Sequence, residues 1–298
     1  MDAKQQFKKS QYTEHLKSLK RACEWLGISQ GRAAKYVKLV KEFFKNDKRS
    51  QEHILAFNES CEITDIYESW KPCISNFPGL YKKIRKVCRK GPVLREDERP
   101  SKSSNRPRND AFAYFLAGKL MTAGIQIVAV DGVVRKGISS HRDADITFGW
   151  NGALIDIECK RPQTEKALKE RVKEASKQIT NPKRQGRIGI IAIDCSVFVR
   201  PPGKLLEKDS GQRAEEFLSQ CLAREIKPQV KTMFGKTILG FLLFARAPHM
   251  ALIKISPVVS PRGEHFRYYR PESISTFLVI GNPTFSITVL QFICKRLV

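Results

Sequence analysis

Acidic residues are scarce in this chain of 298 residues: 30 Asp and Glu stand against 54 Lys and Arg, a formal net charge of +24. Solubility needs far less, and such a field draws polyanions, of which nucleic acid is the commonest. A membrane surface is the rival, but no lipidation signal is present, and long apolar runs are missing too. The uncharged stretch from Phe277 to Cys294 is broken by Gly281-Asn282-Pro283, so it reads as strand, turn and helix rather than a span. The opening MDAKQQFKKSQ is too polar for a secretory leader. None of the eight cysteines (23, 61, 73, 88, 159, 195, 221, 294) forms a C-x-x-C pair, and no His stands at zinc-finger spacing. That disfavours a zinc site and suggests reduced thiols in a cytoplasmic protein. Internal repeats are absent as well.

What is present falls into two halves. Residues 92–110, PVLREDERPSKSSNRPRND, are polar and aperiodic. They predict a linker over 92–109, between a basic α-helical domain (1–91) and a domain over 110–298. Charge does not separate them: residues 1–110 carry 25 basic and 14 acidic side chains, and the remainder 29 and 16.

In the first half, Ala33, Tyr36, Val37, Val40, Phe43 and Phe44 recur at helical spacing, with Lys35, Lys38, Lys41 and Lys45 on a neighbouring face. RACEWLGIS before them admits a helix-turn-helix with Gly27 at the turn, and equally a plain helical bundle. LYKKIRKVCRKGP (80–92) sets Leu80, Ile84, Val87 and Cys88 on one stripe. Lys82, Lys83, Arg85, Lys86, Arg89 and Lys90 cover the rest, without the acids a solvated helix usually pairs with them. They are candidates for phosphate contacts.

The second half alternates: a helix over 110–123 with Asp110 as N-cap, strand IQIVAV, a hairpin, a helix over 164–179, and the apolar strand IGIIAIDCSVFV (188–199). A helix near 212–225, strands near 237–245 and 275–281 and a terminal helix from about 284 follow. This order predicts an α/β domain with a mixed sheet.

The hairpin DADITFGWNGALIDIECKRP (143–162) carries the chemistry. Asn151-Gly152 fits a two-residue type I′ turn, which pairs Trp150 with Ala153 and sets Asp145 opposite Glu158. The same register sets Asp143 opposite Lys160 and Thr147 opposite Asp156. Asp156, Glu158 and Lys160 share a face, and Ile155, Ile157 and Cys159 take the other. Opposed carboxylates, with Cβ atoms about 5 Å apart, repel each other. A divalent cation relieves that repulsion, and Mg²⁺ commonly takes one or two carboxylates, waters and substrate phosphates. A wet edge hairpin with solvated charges is the alternative.

Asp145…Glu158-Cys159-Lys160, followed by a helix and an apolar strand, resembles the PD-(D/E)XK, or restriction-endonuclease-like, nuclease superfamily over about residues 110–199. The resemblance implies a restriction-endonuclease-like mixed sheet flanked by helices, here after an α-helical N-terminal domain. By position, Asp145 and Glu158 would ligate Mg²⁺ (or Mn²⁺), with the Cys159 carbonyl as a further ligand. Lys160 would orient the attacking water. Gln178 matches a glutamine that some members carry, although Pro182 stands where those members place a tyrosine. Ala144 replaces the name-giving proline, and Asp110 is the one acid of the preceding helix. Asp143 and Asp156 read as supporting partners, His141 as a loop residue, Arg161 as a phosphate contact and Pro162 as the strand's end.

The functional expectation is a Mg²⁺-dependent nuclease on nucleic acid, DNA ahead of RNA. A homodimer is one way to cut both strands, and two passes is the other. The competing expectation is a non-catalytic DNA-binding or regulatory protein that uses the basic helices alone.

Overall fold

A computed structural model describes residues 3–45, 50–98, 106–138, 144–181, 188–199, 206–208, 211–235, 237–254, 267–282 and 288–297. The expected partner Asp143, the expected loop residue His141, and Pro182 lie outside them.

Four helices come first: α1 (Ala3–Leu26), α2 (Arg32–Lys45), α3 (Gln51–Trp70) and α4 (Leu80–Arg89). RACEWL is the end of the long α1, and the chain turns into α2 with Gly27 at φ +60°. In α4 the apolar stripe Leu80, Ile84, Val87 and Cys88 is buried, as its spacing predicts.

Helix α5 (Arg106–Thr122) begins four residues before the expected start. Asp110 therefore lies in its second turn and is not the N-cap. Ala111 to Ala117 are buried without a break, because α5 packs between α3 and α4 on one side and the sheet on the other. At Gly118 the two helices come too close for a side chain: a Cβ there would lie 2.7 Å from Ser69 Cβ. Trp70 Nε1 seals the contact by donating to the Tyr114 carbonyl at 2.9 Å.

The strands are β1 (Ile127–Val130), β2 (Val133–Val134), β3 (Ile146–Trp150), β4 (Ala153–Lys160), β5 (Ile188–Asp194), β6 (Leu206–Lys208), β7 (Ile238–Lys254) and β8 (Arg267–Gly281). They form one mixed sheet in the order β2-β1-β3-β4-β5-β7-β6, with β8 beside β7. The β1–β3, β3–β4 and β7–β8 pairs are antiparallel; β4–β5 and β5–β7 are parallel. Between them come α6 (Glu165–Ile179), the single turn α7 (Ser196–Val199), α8 (Gly211–Cys221), which continues through a π-helical stretch into α9 (Lys227–Lys231), and the final α10 (Thr288–Leu297). Among the described residues, no helix is long and apolar enough to cross a membrane.

Both faces of the sheet are covered. Ile190 and Ala192 of β5 face a cluster built with α1–α5 and α10, while Ile191 and Ile193 face a second cluster with α6 and α8. A continuous apolar strand is what two covered faces require. The expected strand 188–199 nevertheless ends at Asp194, whose carboxylate accepts from Ser196 N at 3.0 Å and starts the α7 turn.

The same apolar cluster runs from Leu19 of α1 through α5 to Ile157 of β4, so the helical region and the sheet share a core. Within 92–98, expected as the start of a linker, two side chains are packed inward: those of Arg95 and Glu98 are 9% and 0% exposed.

Candidate functional site

The site starts from the bend at Asn151-Gly152, where φ values of +47° and +78° give the predicted turn. The ladder follows the predicted register, from Trp150↔Ala153 to Thr147↔Asp156 and Ile146↔Ile157. Asp145 stands one step beyond the last described pair. Its carboxylate turns to the neighbouring strand, where Oδ2 accepts from Cys159 N at 2.7 Å.

On β4, Ile155 and Ile157 join the cluster on the α5 side. Asp156, Glu158 and Lys160 alternate with them and face α6. Asp156 is 1% exposed and accepts from Thr147 Oγ1 at 2.7 Å. Glu158 is also 1% exposed, with Oε2 3.6 Å from Lys160 Nζ. Lys160 Nζ donates to Gln178 Oε1 at 2.7 Å. The structure thus gathers Glu158, Lys160 and Gln178 on one side of the strand and places the Asp145 carboxylate against the Cys159 amide, which lies between Glu158 and Lys160 in the chain. Burial raises the Cys159 thiol pKa well above its ordinary value, and the carboxylates of Asp145 and Glu158 add to the rise.

A cleft of about 350 Å³ opens at the end of β4. Asp145, Cys159 and Lys160 line it, with Arg106, Asn109 and Asp110 from α5 and Arg171 and Glu174 from α6. Glu158 lies one residue back along the strand from Cys159, outside this lining. Burial holds the Asp110 carboxyl above its usual range despite Arg106, and Asp131 and Asp145 push the same way. The amphipathic pattern of α6, with Thr164 capping Ala167 N at 3.1 Å, keeps Leu168, Val172, Ala175 and Ile179 inward. Gln178 and Arg171 are thereby left at the helix edge.

Among the described residues, no group of three or more His, Cys, Asp or Glu side chains is placed to hold a metal ion. The oxygens that the sequence reading assigned, the carboxylates of Asp145 and Glu158 and the Cys159 carbonyl, are hard donors of the kind Mg²⁺ or Mn²⁺ takes together with water and phosphate. The protonated Cys159 thiol, on the α5-facing side of β4, does not suit zinc.

Arg161 corrects the sequence reading. Its side chain is 1% exposed, with Nη1 2.6 Å and 2.7 Å from the two Glu98 oxygens and Nε 2.9 Å from Asp194. A guanidinium enclosed by two carboxylates is not presented to a phosphate. It belongs to a buried network in which Arg95 pairs with Glu59 and Asp194, and Arg108 with Glu59 and Glu98. Burial by itself would raise Glu59 and Asp194, but these arginines hold both carboxyls well below the usual range.

On α4, Lys82, Arg85, Lys86, Arg89 and Lys90 are exposed. Arg85 Nη2 also donates to the Gly27 carbonyl at 3.0 Å. Lys83 departs from the expected phosphate face: its Nζ lies 2.8 Å from Asp131 Oδ2 and 2.7 Å from Asp131 O. Asp131, Glu98 and Asp194 were absent from the sequence reading. Only Asp131 carried a local signal, the Asp131-Gly132 turn dipeptide between valines. The other two are defined by partners 63 and 33 residues away from Arg161. No family model, curated protein or solved structure matches the chain.

Proposed function

We propose that the chain is a divalent-metal-dependent nuclease of the PD-(D/E)XK type, acting on DNA ahead of RNA. The observation that carries the reading is Lys160, held between Glu158 and Gln178 at the mouth of a cleft that Asp145 also lines. The run α5, β1, β3–β4 hairpin, α6, β5 has the helix, hairpin, helix, strand order that the resemblance implies, which supports the same reading. The charge of +24 and the exposed cations of α4 supply the attraction a polyanionic substrate needs.

Asp145, Glu158 and the Cys159 carbonyl would hold Mg²⁺ or Mn²⁺. When bound, the ion contributes Lewis acidity and a water of lowered pKa. The side chains do the rest. Gln178 accepts one hydrogen bond from the Lys160 ammonium and Glu158 offsets its charge, which leaves N–H donors for the cleft. There they orient the attacking water and meet the charge that builds on the phosphate oxygens. Arg106 and Arg171, on opposite walls, fix the phosphodiester, and the basic face of α4 grips the backbone.

The test is cleavage of DNA and RNA with Mg²⁺ or Mn²⁺, beside Asp145→Asn and Lys160→Ala, with Mn²⁺ calorimetry on Glu158→Gln. Metal-dependent cleavage that both variants lose, and Mn²⁺ uptake that Glu158→Gln loses, is the expected result. Cleavage unchanged in both variants removes the assigned site. Specific duplex binding without metal uptake favours the regulator.

A further inference from the structure

Asp145 sits at a bend one residue before β3, where the described ladder no longer holds it. Two bonds fix it there. Cys159 N donates to its carboxylate, and Asp131 N donates to its carbonyl at 2.9 Å.

Asp131 is itself an unusual residue. It opens the β1–β2 turn with φ +47°, a left-handed conformation that aspartate tolerates and most residues resist. Its Oδ2 accepts from Lys83 Nζ of α4 and from the Tyr114 hydroxyl of α5, each at 2.8 Å. Lys83 closes the fork by also donating to the Asp131 carbonyl. Two helices thus converge on the turn whose amide holds Asp145.

We propose that Asp131, clamped by Lys83 and Tyr114, is a positioning residue for Asp145, so that the basic helix α4 both meets the substrate and sets the metal-binding carboxylate. The metal role of Asp145 rests on the nuclease reading; the clamp itself does not. As a bare ion pair the contact would count for little, since Lys83 and Asp131 are 44% and 45% exposed. Its effect is geometric. The carboxylate pins a turn in a conformation that the backbone alone does not favour, and the turn's N–H then has one direction in which to point. Lys83 also offsets the charge of Asp131, one of the two acids that act on Asp110.

The experiment compares Lys83→Met, Asp131→Asn and Lys83→Arg with Lys82→Met, which alters an exposed neighbour on the same helix. Three quantities are read: amide hydrogen exchange at Asp131 and Cys159, Mn²⁺ affinity by calorimetry, and duplex affinity by fluorescence anisotropy. Lys83→Met and Asp131→Asn should each speed exchange at both amides and weaken Mn²⁺ binding, by about fivefold. Lys83→Arg should recover most of both, because arginine keeps the charge and the donors, while asparagine's tolerance of the turn keeps Asp131→Asn folded. Lys82→Met should change neither. Exchange rates unaltered in Lys83→Met overturn the clamp. So does a loss of duplex affinity with exchange and Mn²⁺ binding intact, which would make Lys83 an ordinary phosphate contact. If the wild-type protein takes up no Mn²⁺, the nuclease reading fails, and faster exchange in Lys83→Met still establishes the clamp.

Discussion

Lys160 Nζ and Gln178 Oε1 stand 2.7 Å apart, joining the last residue of β4 to the last turn of α6. The bond passes from strand to helix across the face where Glu158 is buried. A flexible four-carbon side chain would otherwise sample many directions, and here one is selected.

Gln178→Ala should therefore impair turnover while leaving the fold alone. A catalytic group that loses its fixed direction costs on the order of tenfold to a hundredfold in kcat, whereas the ammonium, at the edge of the cleft, can replace the lost partner with water. Single-turnover cleavage under saturating substrate would reveal it, with an unchanged urea midpoint. A stability loss with normal turnover would reduce Gln178 to helix packing.

Arg161→Ala should act in the opposite sense. Removing the guanidinium leaves Glu98 and Asp194 buried with fewer cations, a change that typically costs about 3–5 kcal/mol. Equilibrium denaturation measures it directly. If Arg161→Ala lowered duplex affinity and kept full stability, a phosphate-contacting role would return.

Acid should unfold the protein in two stages. Burial lowers the pKa of His15 to about 4, and its Nε2 lies 2.7 Å from Ser60 Oγ. Between the unfolded value near 6.5 and about 4 the unfolded chain binds the extra proton, so stability falls as pH falls through that window, by up to about 3 kcal/mol. Glu59 and Asp194, whose folded pKa values are depressed, stabilise fully above their unfolded values near 4 and lose that contribution as pH drops further. Urea midpoints from pH 8 to 3 would show an early slope that His15→Gln removes and a later one that it keeps. A flat profile down to pH 5 in the wild type contradicts the first stage.

Neutralising Lys82, Lys86, Arg89 and Lys90 together should weaken duplex binding uniformly across sequences. Each neutralised phosphate adds about 0.9 to the slope of log affinity against log salt, so the slope should become shallower by about 0.9 for every phosphate that loses its cation. Fluorescence anisotropy over a salt series reads this. An unchanged slope would place the nucleic acid on another surface.

The hairpin and its register were legible in the sequence because Asn151-Gly152 admits few turn geometries and period-two alternation ties each side chain to a face. The same local logic found the buried stripes of α4 and α6. The start of α5 was not legible: Arg106 and Arg108 look like polar linker, and it takes two buried glutamates from outside the helix, Glu59 and Glu98, to make Arg108 an interior residue. Arg161 misled for the same reason, because its partners come from distant segments. Lys83 is one of six similar cations on α4 by sequence, and only the left-handed turn at Asp131 sets it apart.

The continuous packing of α5 against both α3 and the sheet has a practical corollary. The basic helices cannot be exchanged like a cassette to redirect the protein toward other targets. A fragment starting at residue 106 would leave Arg108 without Glu59 and Glu98 and uncover Gly118 where Ser69 and Trp70 pack on it, and it should be recovered as aggregate rather than as a smaller folded unit.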